Sequence, residues 1–532
     1  MKAITETPAA GRDGRRASAV CREAGAAGLL ALALYLATLQ QDVSLPDSAV
    51  IMEAMQGPVI SAFACNHTLN NLIGWLVCRL LPVGTLAWRC HAVSALAGAC
   101  VVGLFHALIR HRGASRTLAA LCTATLAVSH GLWWHATVVE NYALSAVLFL
   151  ACATLLTDVD GGAQRPGRSF ALFFLAGLSL LNHLQNGLLL AGCAAAFGRK
   201  WRRHWRAAAA GATLGLAPLL AVAGWELATG RAGDDPLAWF LGGGGFGAAM
   251  FRHAADGGLG AWVRLLLWHH PGPFAVSVVA GLLWAWPRRT GTFRPLDRLV
   301  WVVVAGNSLF FLGYATWDRF SFFLSVWVAA AVAAAGWLAA CERRGPRRVR
   351  VAAIYLPLAL GVVFAPGFYV RQARHLAATG HESWLTRGYA QVVRDYRNRY
   401  DLAGMLLDPV QRDRGTIASF IRQALAALPP GSVWVDDGST YDQVIWMQRR
   451  EGLRPDIEAL LLVHPLLPQR GAASHALAMR VQWERARRRW FVVTDEGPAA
   501  ELIAHLRPFG WRTRLLTVGP GRYIVELVRS LE

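Results

Sequence analysis

The stretch HAVSALAGACVVGLFHALI at residues 91–109 contains no charged residue, and Arg110 and Arg112 follow it. A bilayer span needs about 20 mostly apolar residues, so this stretch predicts a transmembrane helix. Similar apolar runs recur along most of the chain. They lie at 24–40, 117–133, 142–157, 169–181, 184–197, 207–229, 259–286, 299–316, 320–340 and 351–370. The pattern predicts a mostly α-helical polytopic membrane protein.

The composition of the 532-residue chain argues against other classes of protein. Hydrophobic residues make up 55% of the chain and charged residues only 16%, whereas an ordinary soluble protein has about 25% charged residues. A soluble multidomain enzyme and a disordered chain are both disfavoured. The net charge of +20 would suit nucleic acid, but the basic residues form short clusters between apolar runs. We therefore expect no nucleic-acid partner.

The basic clusters predict the sidedness of the protein, because short cytoplasmic loops are enriched in Lys and Arg. They lie at 11–22, 110–116, 199–206, 288–298 and 343–350. All five clusters lie on the cytoplasmic side only if segment 69–82 does not cross the membrane and segment 169–197 crosses it an even number of times. The segment LNNLIGWLVCR at 69–79 is short and polar, which predicts an amphipathic helix at the membrane interface. The segments 169–181 and 184–197 are either two tight spans or a re-entrant hairpin.

This assignment predicts about 11 transmembrane helices in a bacterial inner membrane. Residues 1–23 form a cytoplasmic tail, 24–370 the membrane domain and 41–90 its first outer loop. Residues 371–532 follow on the outer, periplasmic side. There, 432–435, 489–494, 514–518 and 523–527 have the pattern of strands, and 440–451 and 474–489 have helical spacing. Alternating strands and helices predict a small C-terminal α/β domain with a partly parallel sheet.

Ionisable groups near a membrane are costly and are therefore functional candidates. Asp47 lies just outside the first predicted span and Glu53 follows it in the same loop. A carboxylate at the mouth of a membrane cavity can act as a general base toward an acceptor hydroxyl. The alternative is an ordinary loop aspartate or an N-cap for the helix expected at 49–56.

Three further groups of polar residues interrupt the apolar runs on the predicted outer side. Glu140 and Tyr142 begin one run, where Glu140 either orients a substrate or caps a helix at its positive end. Asn182 and His183 lie between two short runs, where they either bind a substrate or satisfy broken backbone. Asp318-Arg319 is either a local salt bridge or a site in which the guanidinium binds a phosphate. These are the candidate groups.

Metal and disulfide chemistry have weaker support. The chain has nine cysteines, without a C-x-x-C pair and without any cysteine after position 341. We predict no disulfide framework and no zinc site. His269-His270 has no evident third ligand, so a metal role is not expected there.

Several short motifs together resemble a membrane family known as domain of unknown function 2723. This family is related to the protein O-mannosyltransferases of the GT-C glycosyltransferase superfamily. The similar segments are Pro46-Asp47-Ser48, Asn66-His67, Ala87-Trp88-Arg89, 93–98, 129–134, 139–144, 180–183, 317–324, 435–438 and 452–456. No single motif is specific, but their order along the chain is that of the family.

The resemblance implies a GT-C type glycosyltransferase that takes a sugar from a polyprenyl-phosphate-linked donor at the outer leaflet. Asp47 matches the catalytic carboxylate, and Glu53, His67, Glu140, Tyr142, Asn182, His183, Asp318 and Arg319 are the expected substrate-binding residues. The acceptor is a protein or a glycan, and membrane lipids surround the enzyme. A divalent metal is possible but is not required by the sequence.

This sequence departs from the family pattern in the first outer loop. Ala49 and Val50 follow Asp47-Ser48 in place of Gly-Glu, and Asn66-His67 replaces a His-Pro-Pro-Gly-like segment. The second acidic group is then missing unless Glu53 substitutes for it. Two rivals remain open, namely a transporter or flippase of lipid-linked sugars and a non-catalytic envelope assembly protein. Transporters usually contain internal repeats, and we find none.

Overall fold

The computed structural model describes residues 10–44, 46–57, 59–63, 66–157, 165–197, 203–240, 258–286, 294–312, 319–387, 389, 399–412, 415–462, 477, 480–481, 488–495 and 498–529. The helices of the apolar part are α1 Ala10–Ala37, α2 Pro46–Gln56, α3 Thr68–Leu80, α4 Leu86–His111, α5 Arg116–Ala127, α6 His130–Thr137, α7 Tyr142–Thr157, α8 Pro166–Leu178, α9 Gly187–Ala196, α10 Trp205–Ala228, α11 Pro236–Phe240, α12 Gly258–His269, α13 Pro273–Ala285, α14 Pro295–Leu312, α15 Arg319–Phe322, α16 Leu324–Arg344, α17 Arg347–Arg350 and α18 Leu356–Thr379. A π-helical turn at Val351–Tyr355 joins α17 to α18.

The predicted multi-helix membrane architecture is confirmed, although the count of 11 spans is not. Among the described residues, five helices are long and apolar enough to cross a membrane. They are Ala17–Ala37, Leu86–His111, Trp205–Ala228, Leu324–Arg344 and Arg347–Thr379. Shorter apolar helices include α5, α7, α9 and α13. Large apolar side chains such as Leu29, Leu309 and Val363 are about 70–80% exposed on the outer faces, as expected for contact with lipid.

Two of the predicted apolar runs are broken rather than continuous. The run at 259–286 divides at Gly272, which has a φ of 103°, and Pro273 begins the next helix. The run at 117–133 divides between α5 and α6, where the hydroxyl of Ser129 bonds to the carbonyl of Leu126. Apolar composition predicted these runs. It does not reveal a glycine with a positive φ, or a serine whose hydroxyl competes for the hydrogen bonds of the helix.

Helix α3 presents its polar side to the protein and its apolar side outward. Its buried residues are Thr68, Asn70, Asn71, Gly74 and Cys78. Leu76 and Leu80 are exposed. This inversion suits a helix that lies between the protein and a lipid surface, and it agrees with the interfacial helix predicted at 69–79.

Helices α8 and α10 approach each other closely through two glycines. A β-carbon at Gly211 would lie 2.2 Å from the carbonyl oxygen of Phe170, and one at Gly215 would lie 2.3 Å from that of Phe174. Gly211 and Gly215 form a G-x-x-x-G spacing, which allows helix backbones to pack tightly in membranes. The motif is visible in the sequence, where it lies inside the apolar run at 207–229.

The C-terminal region contains a five-stranded mixed sheet. Its strands and helices are α19 Leu402–Leu407, α20 Thr416–Ala427, β1 Val433–Asp436, α21 Tyr441–Glu451, β2 Glu458–Leu461, β3 Trp490–Val492, α22 Pro498–Leu506, β4 Trp511–Gly519 and β5 Arg522–Arg529. The strand order is β2-β1-β3-β5-β4. Strand β1 is parallel to β2 and β3, whereas β5 is antiparallel to β3 and β4. The predicted α/β sheet is therefore present; the helix predicted at 474–489 falls mostly outside the described residues.

The sheet region, defined here as residues 399–529, packs on the first outer loop. Arg422 bonds to Asp42 at 3.2 Å and to Glu451 at 2.9 Å. Arg450 binds both carboxylate oxygens of Glu53, at 3.0 and 2.8 Å. The loop at 41–90 and the sheet region therefore lie on the same side of the helical part.

We predict that a methyl group at Gly211 or Gly215 destabilises the protein. The obstacle is a backbone carbonyl that cannot rotate away, so Gly211→Ala and Gly215→Ala should each cost about 1–3 kcal/mol of stability. Thermal unfolding in detergent should show a lower midpoint for both variants. Gly224→Ala is the matched control, because the same helix leaves open space there. Equal midpoints for the three variants would contradict the close packing of α8 on α10.

Candidate active site

Four of the residues nominated from the sequence lie together at one end of the helical part. The rings of His67 and His183 are stacked, with centroids 5.3 Å apart and planes 9° apart. The ring of Tyr142 lies 5.5 Å from that of His183 and 5.4 Å from that of Phe322. Asn182 joins the group through its carbonyl, which accepts a hydrogen bond from His67 Nδ1 at 2.9 Å. We refer to His67, Tyr142, Asn182 and His183 as the outer cluster.

The break between α8 and α9 supplies two members of the outer cluster. The chain here forms two short 3₁₀ turns, Ser179–Leu181 and Leu184–Asn186. The amide of Asn182 donates to the carbonyl of Asn141 at 3.0 Å and to Ser145 Oγ at 2.9 Å. The bonds of Asn182 fix the loop next to the start of α7. The broken backbone is satisfied by a neighbouring side chain, as one sequence interpretation expected, because the amide of Asn186 donates to the carbonyl of Ser179 at 2.9 Å. The structural and binding roles are therefore compatible.

The two stacked imidazoles present opposite hydrogen-bonding groups. A carbonyl only accepts, so His67 Nδ1 carries the proton and Nε2 of the neutral ring is an acceptor. His183 Nδ1 accepts from the backbone N–H of Gln185 at 3.1 Å, so its proton lies on Nε2 when the ring is neutral. Dense packing lowers the pKa of His67 to about 4, because burial disfavours the charged form. The pair therefore offers one acceptor and one donor to a neutral polyhydroxyl ligand.

Glu140 is held close to the outer cluster by its backbone. Its N–H donates to Ser94 Oγ at 3.0 Å, and its carbonyl accepts from the same hydroxyl at 3.1 Å. Its exposed fraction is only 9%. Tyr142, two residues later, begins α7. The bonds to Ser94 of α4 thus fix the backbone that leads from Glu140 to Tyr142.

Asp47 and Glu53 lie on the same short helix but in different surroundings. Asp47 is exposed in the first turn of α2. Both oxygens of Glu53 bind Arg450, and Arg449 lies 3.8 Å from one of them. The structure thus places Glu53 at the contact with the sheet region and Asp47, which is exposed, in the first turn of the same helix.

The predicted Asp-Arg turn is only partly described. Asp318 lies outside the described residues, and so does the side chain of Arg319, whose backbone begins α15. Phe320 packs against Trp134 and His135. The segment that follows Arg319 therefore runs beside the helix that ends just before Glu140.

Glu226 anchors the first outer loop and was missed from the sequence. It is 1% exposed near the end of α10. Its carboxylate accepts hydrogen bonds from Ser61 Oγ at 2.5 Å and from the N–H of Ala62 at 3.0 Å. The signal was a carboxylate inside an apolar run, which is costly without a partner. What the sequence could not supply was that partner, since the two segments lie 165 positions apart.

The described residues do not include a cluster suited to a metal ion. Among them, no group of three or more His, Cys, Asp or Glu side chains is arranged to hold one. His269 and His270 are buried, and the ring of His269 packs directly on Gly131. The described part of the site therefore offers hydrogen bonds and aromatic faces rather than metal ligands.

The fold is similar to that of a solved membrane enzyme over nearly the whole chain. ArnT from Cupriavidus metallidurans in the apo state matches with a TM-score of 0.57 and 14% identity, covering 94% of this chain and 96% of that chain. ArnT from the same organism bound to undecaprenyl phosphate matches with a TM-score of 0.56 and 13% identity, over the same shares of the two chains. ArnT is a GT-C glycosyltransferase. At 13–14% identity the match shows a shared fold, and the GT-C activity expected from the sequence stays a prediction.

No protein-family model matches the chain, and no curated protein matches it. The resemblance to domain of unknown function 2723 is therefore not supported by a family model. It stays a prediction, whereas the GT-C architecture has the support of the solved structures.

We predict that Glu226→Gln loosens the loop at 59–63. The amide carries no negative charge, so the bonds to Ser61 and Ala62 lose their charge-assisted strength, at a cost of about 1–3 kcal/mol. Limited digestion with chymotrypsin in detergent should cut at Phe63 faster than in the unmodified protein. The exposed Asp234, in the loop after the same helix, provides the control Asp234→Asn. Equal cleavage of the two variants would show that Glu226 does not hold the loop.

Proposed function

We propose that this protein is a membrane glycosyltransferase. It transfers a sugar from a polyprenyl-phosphate-linked donor to a protein or glycan acceptor at the outer face of the bacterial inner membrane. The observation that carries the proposal is the full-length similarity of fold to a structure that holds undecaprenyl phosphate. The outer cluster and the sheet region lie at the same end of the helical part, which supports a site open to both lipid and acceptor.

Asp47 is the candidate general base in this proposal. It is an exposed carboxylate in the first turn of α2, where the helix dipole favours its negative charge. The helix is held in place from two sides. The side chain of Met55 packs on Gly74 of α3, and Glu53 binds Arg450 of the sheet region. A fixed carboxylate next to open space can take the proton from an acceptor hydroxyl.

Glu53 is better suited to docking than to catalysis. A bidentate Arg-carboxylate pair occupies both of its oxygens, which leaves little capacity for a substrate hydroxyl. In our proposal Asp47 works without a second carboxylate from α2. Glu140 is then the second acidic candidate, because Ser94 fixes its backbone two residues before Tyr142 of the outer cluster.

The outer cluster is proposed to bind the sugar of the donor. Neutral imidazoles, a phenol and an amide can exchange hydrogen bonds with hydroxyl groups without the cost of burying a charge. The lipid phosphate needs a cation, and we assign that role to Arg319, with Asp318 as its neighbour in the turn. Lipid phosphate is already a good leaving group. The reaction therefore needs mainly a base and charge neutralisation near the phosphate.

We predict that Asp47→Asn abolishes transfer while the protein remains folded. The amide is nearly isosteric with the carboxylate but cannot accept a proton, and loss of a general base typically lowers a rate by about 10²–10⁴-fold. The assay supplies purified protein in nanodiscs with undecaprenyl phosphate carrying a radiolabelled sugar, and with an envelope extract as acceptor. Glu501→Gln, an exposed carboxylate on α22, is the control and should keep its rate. Undiminished transfer by Asp47→Asn would remove Asp47 from the mechanism.

A further inference from the structure

Two cysteine thiols meet where α3 packs against α4. Cys78 lies near the end of α3 and Cys90 near the start of α4, and their sulfur atoms are 3.6 Å apart. Both side chains are buried, with exposed fractions of 3% and 0%. The amide of Gln56, the last residue of α2, lies 3.8 Å from the sulfur of Cys90. Three helices of the first outer loop therefore converge on this pair.

The contact is close enough for a covalent bond after a small side-chain movement. A disulfide has a sulfur-sulfur distance of about 2.05 Å and needs two side chains that point toward each other. The sulfurs of Cys78 and Cys90 are already in contact, so rotation about the two side chains can close the remaining gap. We predicted no disulfide from the sequence, because the spacing of the cysteines along the chain does not show that two helices cross at these positions.

The predicted sidedness supplies the oxidising conditions. Both cysteines belong to the first outer loop, which contacts the sheet region through Asp42 and Glu53. Disulfides persist on the outer, periplasmic side of a bacterial inner membrane and are rare in the cytosol. The inference thus rests on the proposed outer location of this loop and is independent of any transfer reaction.

We propose that Cys78 and Cys90 form a disulfide bond that joins α3 to α4. The cross-link fixes the helix that follows His67 and, through the packing of Met55 on Gly74, the helix that carries Asp47. It is a structural modification site in the loop that holds the candidate base.

The bond forms by thiol-disulfide exchange with a disulfide-bearing oxidant. In one order, the thiolate of Cys78 attacks the oxidant and releases one thiol, and the thiolate of Cys90 then attacks the sulfur of Cys78 and releases the second. Two thiols of the protein are oxidised, and one disulfide of the oxidant is reduced to two thiols. The exchange precedes final packing, because both sulfurs are buried once the loop has folded. Either thiol can therefore be the first to attack, and the product is the same.

The chain provides an internal control in a second pair of neighbouring cysteines. Cys152 of α7 and Cys193 of α9 are both buried and hydrogen-bonded to each other. Cys152 lies ten residues beyond Tyr142, or about 15 Å along α7, and therefore away from the outer cluster. If proximity alone were sufficient, this second pair would oxidise as well.

The test counts oxidised cysteines in the full-length protein taken directly from cells. Cells are quenched with acid, the protein is denatured, and free thiols are capped with N-ethylmaleimide. Disulfides are then reduced and the released thiols are tagged with maleimide-polyethylene glycol. We expect two tags on the unmodified protein, Cys65→Ser and Cys152→Ser, and no tags on Cys78→Ser or Cys90→Ser. A sample reduced before the first capping should gain no tags.

Absence of tags on the unmodified protein would overturn the proposal. Loss of both tags in Cys65→Ser or in Cys152→Ser would overturn it too, since the oxidised pair would then be a different one. The readout counts thiols and does not depend on catalysis. Two tags on a protein that transfers no sugar would therefore contradict the proposed function and leave the disulfide intact.

Discussion

Backbone groups that leave a helix within a membrane protein must find hydrogen-bond partners inside the protein, because lipid offers none. The helical part of this chain meets that requirement with short polar side chains placed at each break. In the gap between α8 and α9, the amide of Asn186 donates to the carbonyl of Ser179 and His183 accepts from the N–H of Gln185. Ser94 serves the gap before α7 through the backbone of Glu140. One of the side chains that repair the helices, His183, is thus also a member of the outer cluster.

The first outer loop is likewise held in place by contacts with segments that are distant along the chain. Its buried side chains, among them Ile51, Met52 and Met55, belong to a hydrophobic core shared with the sheet region, and distant parts of the chain add polar contacts. Glu226 holds it from the end of α10, and Arg422 and Arg450 hold it from the sheet region. Exposed ion pairs contribute little to stability individually, about 0–1 kcal/mol each. Their effect here is to set the position of α2, which carries Asp47, rather than to stabilise the fold.

Patterns local in the sequence predicted much of this arrangement. Apolar runs separated by arginine clusters predicted the helices, and the polar, short segment at 69–79 predicted an interfacial helix. Scarcity of polar residues in apolar runs singled out Tyr142, Asn182 and His183, which the structure brings together with His67. The unpredicted features join residues that are distant along the chain. Glu53 and Arg450 are 397 positions apart, and a single sequence carries no signal that pairs them. The sulfurs of Cys78 and Cys90 meet only because α3 folds back on α4.

We propose above all that the outer cluster lies at the site of a polyprenyl-phosphate donor. Photo-crosslinking tests it directly, with undecaprenyl phosphate carrying a photoreactive group next to the phosphate and with the full-length protein in nanodiscs. We predict labelling of peptides that contain His67, His183 or Phe322, and its loss when unlabelled undecaprenyl phosphate is added in excess. Labelling confined to lipid-facing surfaces such as that of α10, unchanged by the competitor, would contradict the claim.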